Sequence, residues 1–485
     1  MESKLEKIYN LCLRRGIIFP TAEIYGSLAG FYDYGEIGLR IKQKLIALWK
    51  KFFKEDNFVE IEGNLVLPRK VVEASGHLER FSDPITKCKK CGKVYRADNL
   101  IEELLGMFVE GKSISELTKI IRENNIRCKE CNGELEDVKE FNLMLKTFIG
   151  SLDAVDAYLR PETAQNIFID FKRIAKAYRK KLPFAIIQVG YAFRNEISPR
   201  QFLIRMRSFT QAEIEMFFNP QDEKCPIEKY LNVEIPLLTR EAQRNKEEKI
   251  VWLSIKELLE KEIIKSEWQA YFLAKEFLFF TQILKFPKEK IRFRHVLEEE
   301  TPFYSAGNFD LEYFFDEIGW KEIVGNAYRT NYDLSTHMKH SGENLEFEGI
   351  IPHVAEPSFG IDRIILAIFF DKLREDREWL WLDLPKEVAP YLVAVFPLVR
   401  NKEEIVNKAK EVYEFLKKHL NEDVIFDMSD SIGKLYARAD EIGIPYCITI
   451  DYQTLQDNTV TIRDRNTKQQ VRVKVEEIID FLHNK

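Results

Sequence analysis

The sequence predicts an α+β fold: an antiparallel sheet flanked by helices, a C-terminal α/β domain with a mixed sheet, and a zinc-clipped insertion. Three observations predict it. The stretch 185–218 reads as strand, loop, strand with period-two alternation. From Tyr391 to the end, strands and helices alternate. Four of the seven cysteines form two C-x-x-C units.

Taken along the chain, 485 residues exceed one compact core, so two or three domains are expected. Residues 39–54 read as an amphipathic helix, with Leu39, Leu45, Leu48, Trp49 and Phe52 largely on one face. A strand over 58–67 follows, stopped by Pro68. Cys88, Cys91, Cys128 and Cys131 then bracket a helical stretch, 101–126. Four thiolates close a tetrahedral zinc shell and leave no position open for chemistry; unligated thiols are the alternative. Gly92 and Asn132-Gly133 follow each second cysteine, where a tight turn needs permissive backbone angles, and lysines at 87, 89, 90, 93 and 129 offset the thiolate charge. The insertion is bounded at 87–140, leaving 1–86 and 141–385 as the main domain, with a second, helical insertion at 222–290. Near Leu384-Pro385 the pattern changes. Residues 386–485 then run strand (391–396), helix (402–420), strand (424–428), helix (431–442), strand (446–450), hairpin and helix. Ile405, Ala409, Val412, Leu416 and Leu420 keep helical spacing.

Composition narrows the function classes. Hydrophobic residues make up 45% and charged residues 31%, the balance of a soluble globular protein. No apolar run approaches the ~20 residues of a membrane span, and residues 1–16 carry no secretory signal. A cytosolic protein with no membrane partner is expected. The net charge of −6 gives no general attraction to a polyanion. The basic stretches 172–181 and 463–474 offer local patches, or are simply solvated faces. No P-loop or dinucleotide-binding glycine motif is found.

The informative stretch is 185–218. Period two puts Gln188, Gly190, Ala192, Arg194 and Glu196 on one face, with Phe209, Gln211, Glu213 and Glu215 on the matching face of the second strand. Small residues clear space for a flat ligand, an aromatic ring can stack on a base, and an arginine can neutralise phosphate. From pattern alone, a half-exposed hairpin gives the same alternation. Downstream, Glu356 and Ser358 share one side of a strand. Gly360 opens a helix with Arg363 in its first turns, where the dipole favours anions.

These residues carry a resemblance. F-R-N-E, a loop and R-x-R-x-F-x-Q-x-E-x-E resemble motif 2 of class II aminoacyl-tRNA synthetases in its glycyl-tRNA synthetase form, and H-V-A-E-P-S-F-G-I-D-R (353–363) resembles motif 3. The 39–54 helix and the strand to Leu67 resemble motif 1. The strings 23–42, 67–84, 95–98, RPETAQ (160–165), GWKEIVG (319–325) and RTNYDLSTH (329–337) are similar to the same family, and 386–485 resembles its anticodon-binding domain. One departure is Phe303-Tyr304, where the family commonly has His-Tyr; it removes a polar contact near the site. The strings S-L-A-G-F-Y-D-Y-G and E-P-S-F-G weigh against a prolyl or threonyl relative. Retention of both motif arginines weighs against a non-catalytic one.

The resemblance implies a glycine–tRNA ligase that converts ATP and glycine to glycyl-adenylate and pyrophosphate, then esterifies tRNA(Gly). It implies Arg194 and Arg363 as catalytic. Arg194, Asn195, Glu196, Arg205, Met206, Arg207, Ser208, Phe209, Glu322, Ile323, Gly360 and Arg363 would hold ATP. Glycine would fall to Arg96, Glu162, Phe209, Glu213, Glu356 and Ser358, and Mg²⁺ to Glu322. A homodimer is implied by motif 1. Carboxylates around the ligand suit an ammonium group and leave no apolar hollow, so steric exclusion rejects larger amino acids and no editing domain is needed.

Overall fold

The computed structural model describes every residue except 1, 108, 110, 153, 377, 378, 421, 422 and 485, and the chain divides into two compact units. The larger comprises residues 22–31 and 53–364. Its centre is a nine-stranded sheet built, in chain order, from β1 (Val59–Ile61), β2 (Phe184–Phe193), β3 (Ser208–Phe218), β4 (Glu234–Leu238), β5 (Ile250–Ser254), β6 (Ile291–His295), β7 (Asn308–Phe315), β8 (Gly319–Thr330) and β9 (His353–Gly360). The spatial order is β5-β4-β6-β7-β8-β9-β3-β2-β1, antiparallel apart from β1 with β2 and β4 with β6.

Period two decides what each face does. On β3, Ala212, Ile214, Met216 and Phe218 are fully buried on one side. That face is covered by α2 (Glu267–Leu278), a helix apolar nearly all round and accordingly buried nearly all round. Asn326 of β8 donates to Glu276 of this helix at 3.0 Å. The other face holds Phe209, Gln211, Glu213 and Glu215. Its far end is closed by α1 (Ala164–Ala177), whose Ile167, Phe168 and Phe171 pack against Ile186 and Phe217. Two further helices matter to the site: α3 (Tyr332–Ser341) and α4 (Ile361–Lys372).

Three local readings change. The expected 58–67 strand is two: β1 joins the main sheet, and Val66–Pro68 pairs instead with Val155–Leu159. Gly63 makes the break, because its N–H and C=O are taken by the Gln188 and Arg160 side chains. The 222–290 segment is not all helical. Its runs EIPLL and IVWLS form β4 and β5 at the sheet edge, where cross-strand pairing and burial of Ile235 and Leu237 override the helix-favouring charged residues between them. The 101–126 helix is also two, Ala97–Leu105 and Ile114–Glu123, parted after Gly106 in the left-handed region (φ +64°). Residues 108 and 110 lie outside the described residues. The cysteine-bearing insertion has its own core of Leu100, Ile101, Leu117, Ile121 and Ile126. Its ends are held by pairing of Ser82–Lys87 with Lys139–Asn142.

The smaller unit comprises residues 1–21, 32–52 and 365–485. Its five-stranded mixed sheet runs Val424–Phe426, Val393–Pro397, Tyr446–Ile450, Thr459–Asp464, Gln470–Lys474, the first three strands parallel. The helix Glu403–His419 buries Ile405, Ala409, Val412 and Leu416 against it, as the spacing predicts. This unit takes in more than residues 386–485 because N-terminal segments and the end of α4 bind it. Arg14 pairs with Glu441 at 2.9 Å, Lys44 with Asp423 at 2.6 Å, and Tyr391 donates to Glu36 at 2.6 Å. Within the 463–474 stretch, Arg463 is buried and fixed bidentately to Asp440, and Arg465 is bonded to Asp383. Neither is free to meet a polyanion.

Candidate active site

A cavity of about 290 Å³ opens on the polar face of β3 in the larger unit. The registers assemble it: Gln188 lies opposite Glu213, Ala192 opposite Phe209, Glu213 opposite Ser358, and Ala327 opposite Glu356. Residues far apart in sequence thus stand in rows across four strands.

At one end are the two arginines. Arg194 directly follows β2; its Nε donates to Pro161 O at 3.3 Å, and its guanidinium lies 5.3 Å from the Phe81 ring and 5.2 Å from that of Phe209. Arg363, in the first turn of α4, donates to Ile204 O at 3.1 Å and to both the backbone O and Oε2 of Glu322 at 2.9 Å. Burial pushes the Glu322 carboxyl up, but Arg363, with Arg194 and Arg294 nearby, holds it below the usual range. Glu196, Arg205, Met206, Phe209, Ile323 and Gly360 line the same cavity.

The other end is a buried carboxylate cluster. Glu213 accepts from Ser358 Oγ at 2.7 Å and from Thr163 Oγ1. The cluster's hub is Arg329 on β8, 1% exposed. It donates to Asp333 at 2.8 and 3.0 Å, to Glu356 Oε2 at 2.7 Å and to Glu162 Oε1 at 3.3 Å, and stacks 3.9 Å from the Tyr304 ring centroid. Gln165 bridges Glu162 and Asp333 at 2.8 and 3.0 Å. Burial raises Glu162, Glu213 and Glu356 alike and Arg329 lowers all three, so their other neighbours sort them. Glu162, with His77 also near, falls well below the carboxylate range, whereas Glu356, with Glu213 and Glu162 nearby, rises to about 8. Glu213 is raised by burial and by Glu162.

Of the residues singled out from the sequence, Arg194, Glu196, Arg205, Met206, Phe209, Glu322, Ile323, Gly360, Arg363, Glu162, Glu213, Glu356 and Ser358 line this cavity. Four expected residues do not. Arg96 lines an adjoining cavity, where Asp83 (3.2 Å) and Asp98 (2.8 Å) hold its guanidinium. Arg207 turns away to the backbone oxygens of Ala29 and Glu196, each at 3.0 Å. Alternation directs Ser208 off the cavity face, and the Asn195 N–H is spent on Leu143 O at 2.8 Å. Gly190 has another purpose than clearing space for a ligand. A Cβ there would stand 2.2 Å from Arg160 Nη2, so the missing side chain admits a buried guanidinium that braces Tyr191 O, Gly63 O and Asn166. Phe303 packs on Gly76, beneath Arg80 at 5.1 Å.

Sequence reasoning missed Arg329, Asp333, Thr163, Gln165 and Tyr304. The signal was present in RTNYDLSTH, which sets Arg329 four residues before Asp333, and in RPETAQ.

In the insertion, one ligand atom from each of Cys88, Cys91, Cys128 and Cys131 lies within 4.8 Å of the others. Gly92 (φ +74°) and Asn132 (φ +55°) make the expected turns, and a Cβ on Gly133 would press 2.9 Å from Cys88 Sγ. Four convergent sulfurs suit tetrahedral zinc.

The chain matches the model of the tRNA synthetase class II core domain (G, H, P, S and T) over residues 151–371, and that of the anticodon binding domain over 392–485. It is 42% identical to the glycine--tRNA ligase of Pyrococcus furiosus and 40% identical to that of Methanocaldococcus jannaschii, each alignment covering 98% of both chains. The glycine--tRNA ligase of Methanothermobacter thermautotrophicus is 38% identical over 98% of both.

Proposed function

The chain belongs to the glycine--tRNA ligase family, and from that premise we propose how its residues divide the work of charging tRNA(Gly) with glycine. Activation brings the glycine carboxylate onto the α-phosphorus of ATP as pyrophosphate leaves. The site must hold geometry and neutralise charge rather than supply covalent help. Arg194 bridges the glycine carboxylate and the α-phosphate. Phe209 takes the adenine face once ATP displaces the arginine now lying over it. Glu196, Arg205 and Arg363 hold base and phosphates. Magnesium, bound with ATP, adds charge neutralisation. Glu322 suits it in chemistry, since Arg363 takes Oε2 while Oε1 lies toward Gly325 of the cavity wall.

The glycine ammonium is gripped by Glu162, Glu213, Glu356 and Ser358. The observation that carries this is a buried cluster of carboxylates within the same cavity as the guanidinium groups of Arg194 and Arg363. A methyl group on the ligand would meet polar, bonded walls, so selection is by exclusion. Glycine-dependent ATP–pyrophosphate exchange against a panel of amino acids tests it. Exchange with alanine or serine at rates near those with glycine would overturn the pocket assignment.

The four-cysteine cluster holds structural zinc. Residues 386–485 read the anticodon, in keeping with the family model matched there. The enzyme works in the cytoplasm; no helix among the described residues is long and apolar enough to cross a membrane. It works as a homodimer, for which the support is an exposed apolar patch beside Val66–Pro68: Phe148, Ile149, Leu152 and Val155 are all more than half exposed. Equilibrium sedimentation at micromolar concentration showing a single-chain species would contradict this.

A further inference from the structure

Glu215 has no task in the scheme above, yet its carboxyl is costly to bury on the polar face. It is fully buried, and no hydrogen-bond donor of a described residue reaches either of its oxygens. On β3 it follows Glu213 by two. The register that pairs Glu213 with Ser358 and Met216 with Ala355 sets it directly across from Glu356. Like charges directly opposite on one sheet face repel, and a dry carboxylate without donors is costlier still. Its surroundings offer little relief. Its β2 neighbour is Ile186, and α1 contributes Phe168 and Phe171 to the same apolar cluster. The charged groups facing it are Glu213 on its own strand, Glu356 on β9 and Arg329 on β8. Arg329 is already shared among Asp333, Glu356 and Glu162.

We propose that Glu215 and Glu356 share one proton, which Glu215 carries as a neutral carboxylic acid and donates to the Glu356 carboxylate. The pair's one proton resides on Glu215, the more strongly raised of the two, and its donated hydrogen bond, with Arg329 and the bound ammonium, offsets the rise at Glu356 so that it meets glycine as a carboxylate. Glu215 is therefore a positioning residue, acting through Glu356. The proposal rests on the glycine-pocket reading above. Burial and the neighbouring Glu356 both raise the Glu215 carboxyl well above the carboxylate range, in accord with this geometry.

The test compares glycine kinetics with infrared spectra. Glu215→Gln keeps a donor toward Glu356, so its glycine KM should stay within about 3-fold of the parent. Glu215→Ala loses the donor and should raise that KM at least about 10-fold, the usual worth of a hydrogen bond to a charged group. Loss of the Glu215 proton should add to the alkaline fall of glycine kcat/KM that glycine's own ammonium imposes, and Glu215→Gln should retain only the part due to glycine. The parent spectrum should contain a carboxylic-acid C=O band that Glu215→Gln removes and Glu356→Gln shifts. A parent without that band, or a Glu215→Gln variant as impaired toward glycine as Glu213→Gln, overturns the proposal. If Glu215→Gln does not fold, the parent band and its shift in Glu356→Gln decide. A Glu213→Gln variant with unchanged glycine KM would instead remove the pocket reading, and the proposal with it.

Discussion

Arg329→Gln is the perturbation that most directly probes the pocket. The guanidinium makes two bonds to Asp333 and one each to Glu356 and Glu162, all within buried surroundings. Glutamine keeps some of its reach but has no charge, so three buried carboxyls lose their shared cation. Breaking a buried pair from one side costs about 3–5 kcal/mol, a large part of the ~5–15 kcal/mol that holds a domain. The cost should depend on pH. With Arg329 present, Glu162 titrates below its ordinary value, so its contribution is full above that value and fades as acid is added. Without Arg329, only His77 and Gln165 oppose the burial that pushes this carboxyl up, and burial should prevail. Its folded value then lies above the unfolded one, and stability falls as pH rises from there. The loss should therefore be larger near pH 8 than near pH 5.5. Urea unfolding followed by intrinsic fluorescence at both pH values measures it, with glycine-dependent exchange as the functional readout. A loss below about 1 kcal/mol at the higher pH, or one equal at both, would refute the view that Arg329 is the countercharge of the cluster.

Three other outcomes are expected. Arg194→Ala or Arg363→Ala should slow pyrophosphate exchange by at least ~10²-fold, the usual loss for one preorganised charge-stabilising group; near-normal rates would refute the assigned roles. Gly190→Ala should destabilise the larger unit by about 1–3 kcal/mol, since its Cβ would collide with Arg160; an unchanged melting temperature would mean that Arg160 has room elsewhere. Metal analysis should find one zinc per chain, and Cys88→Ser should loosen the insertion while leaving ATP binding intact; zinc-free protein of full stability would end the zinc assignment.

The hairpin at 185–218 was legible because a strand's side-chain period is fixed by its geometry. Gln188, Gly190 and Ala192 fall on one face, as the alternation requires, and pair with Glu213, Gln211 and Phe209. The cysteine cluster was legible because metal ligands have characteristic spacing. What a face looks out on was not. Period two placed Gly190 beside the ligand space, but only the fold brings Arg160 beneath it, 30 residues back in the chain. The Arg329 hub is hidden for the same reason. One of its partners, Asp333, is local, whereas Glu162 and Glu356 reach it only through the sheet. The strands β4 and β5 were missed because their pairing is set by neighbours rather than by propensity.

The stem of the cysteine-bearing insertion has a consequence for the family's history. Ser82 faces Asn142 and Ile85 faces Lys139, so the chain leaves and returns at one point of a paired ladder. The intervening residues form a core of their own, and apart from the cavity that Arg96 shares with the main unit and the approach of Gly111 to Glu299, their length is felt mainly through the closure of a loop. That cost grows with the logarithm of loop length, so doubling the insert adds only about 0.6 kcal/mol. Such a stem works as a socket: modules of different size can be exchanged in it by insertion or deletion without re-registering a strand of the catalytic sheet. Length change among relatives should concentrate there, and a short turn grafted between Lys87 and Lys139 should leave the nine-stranded sheet intact.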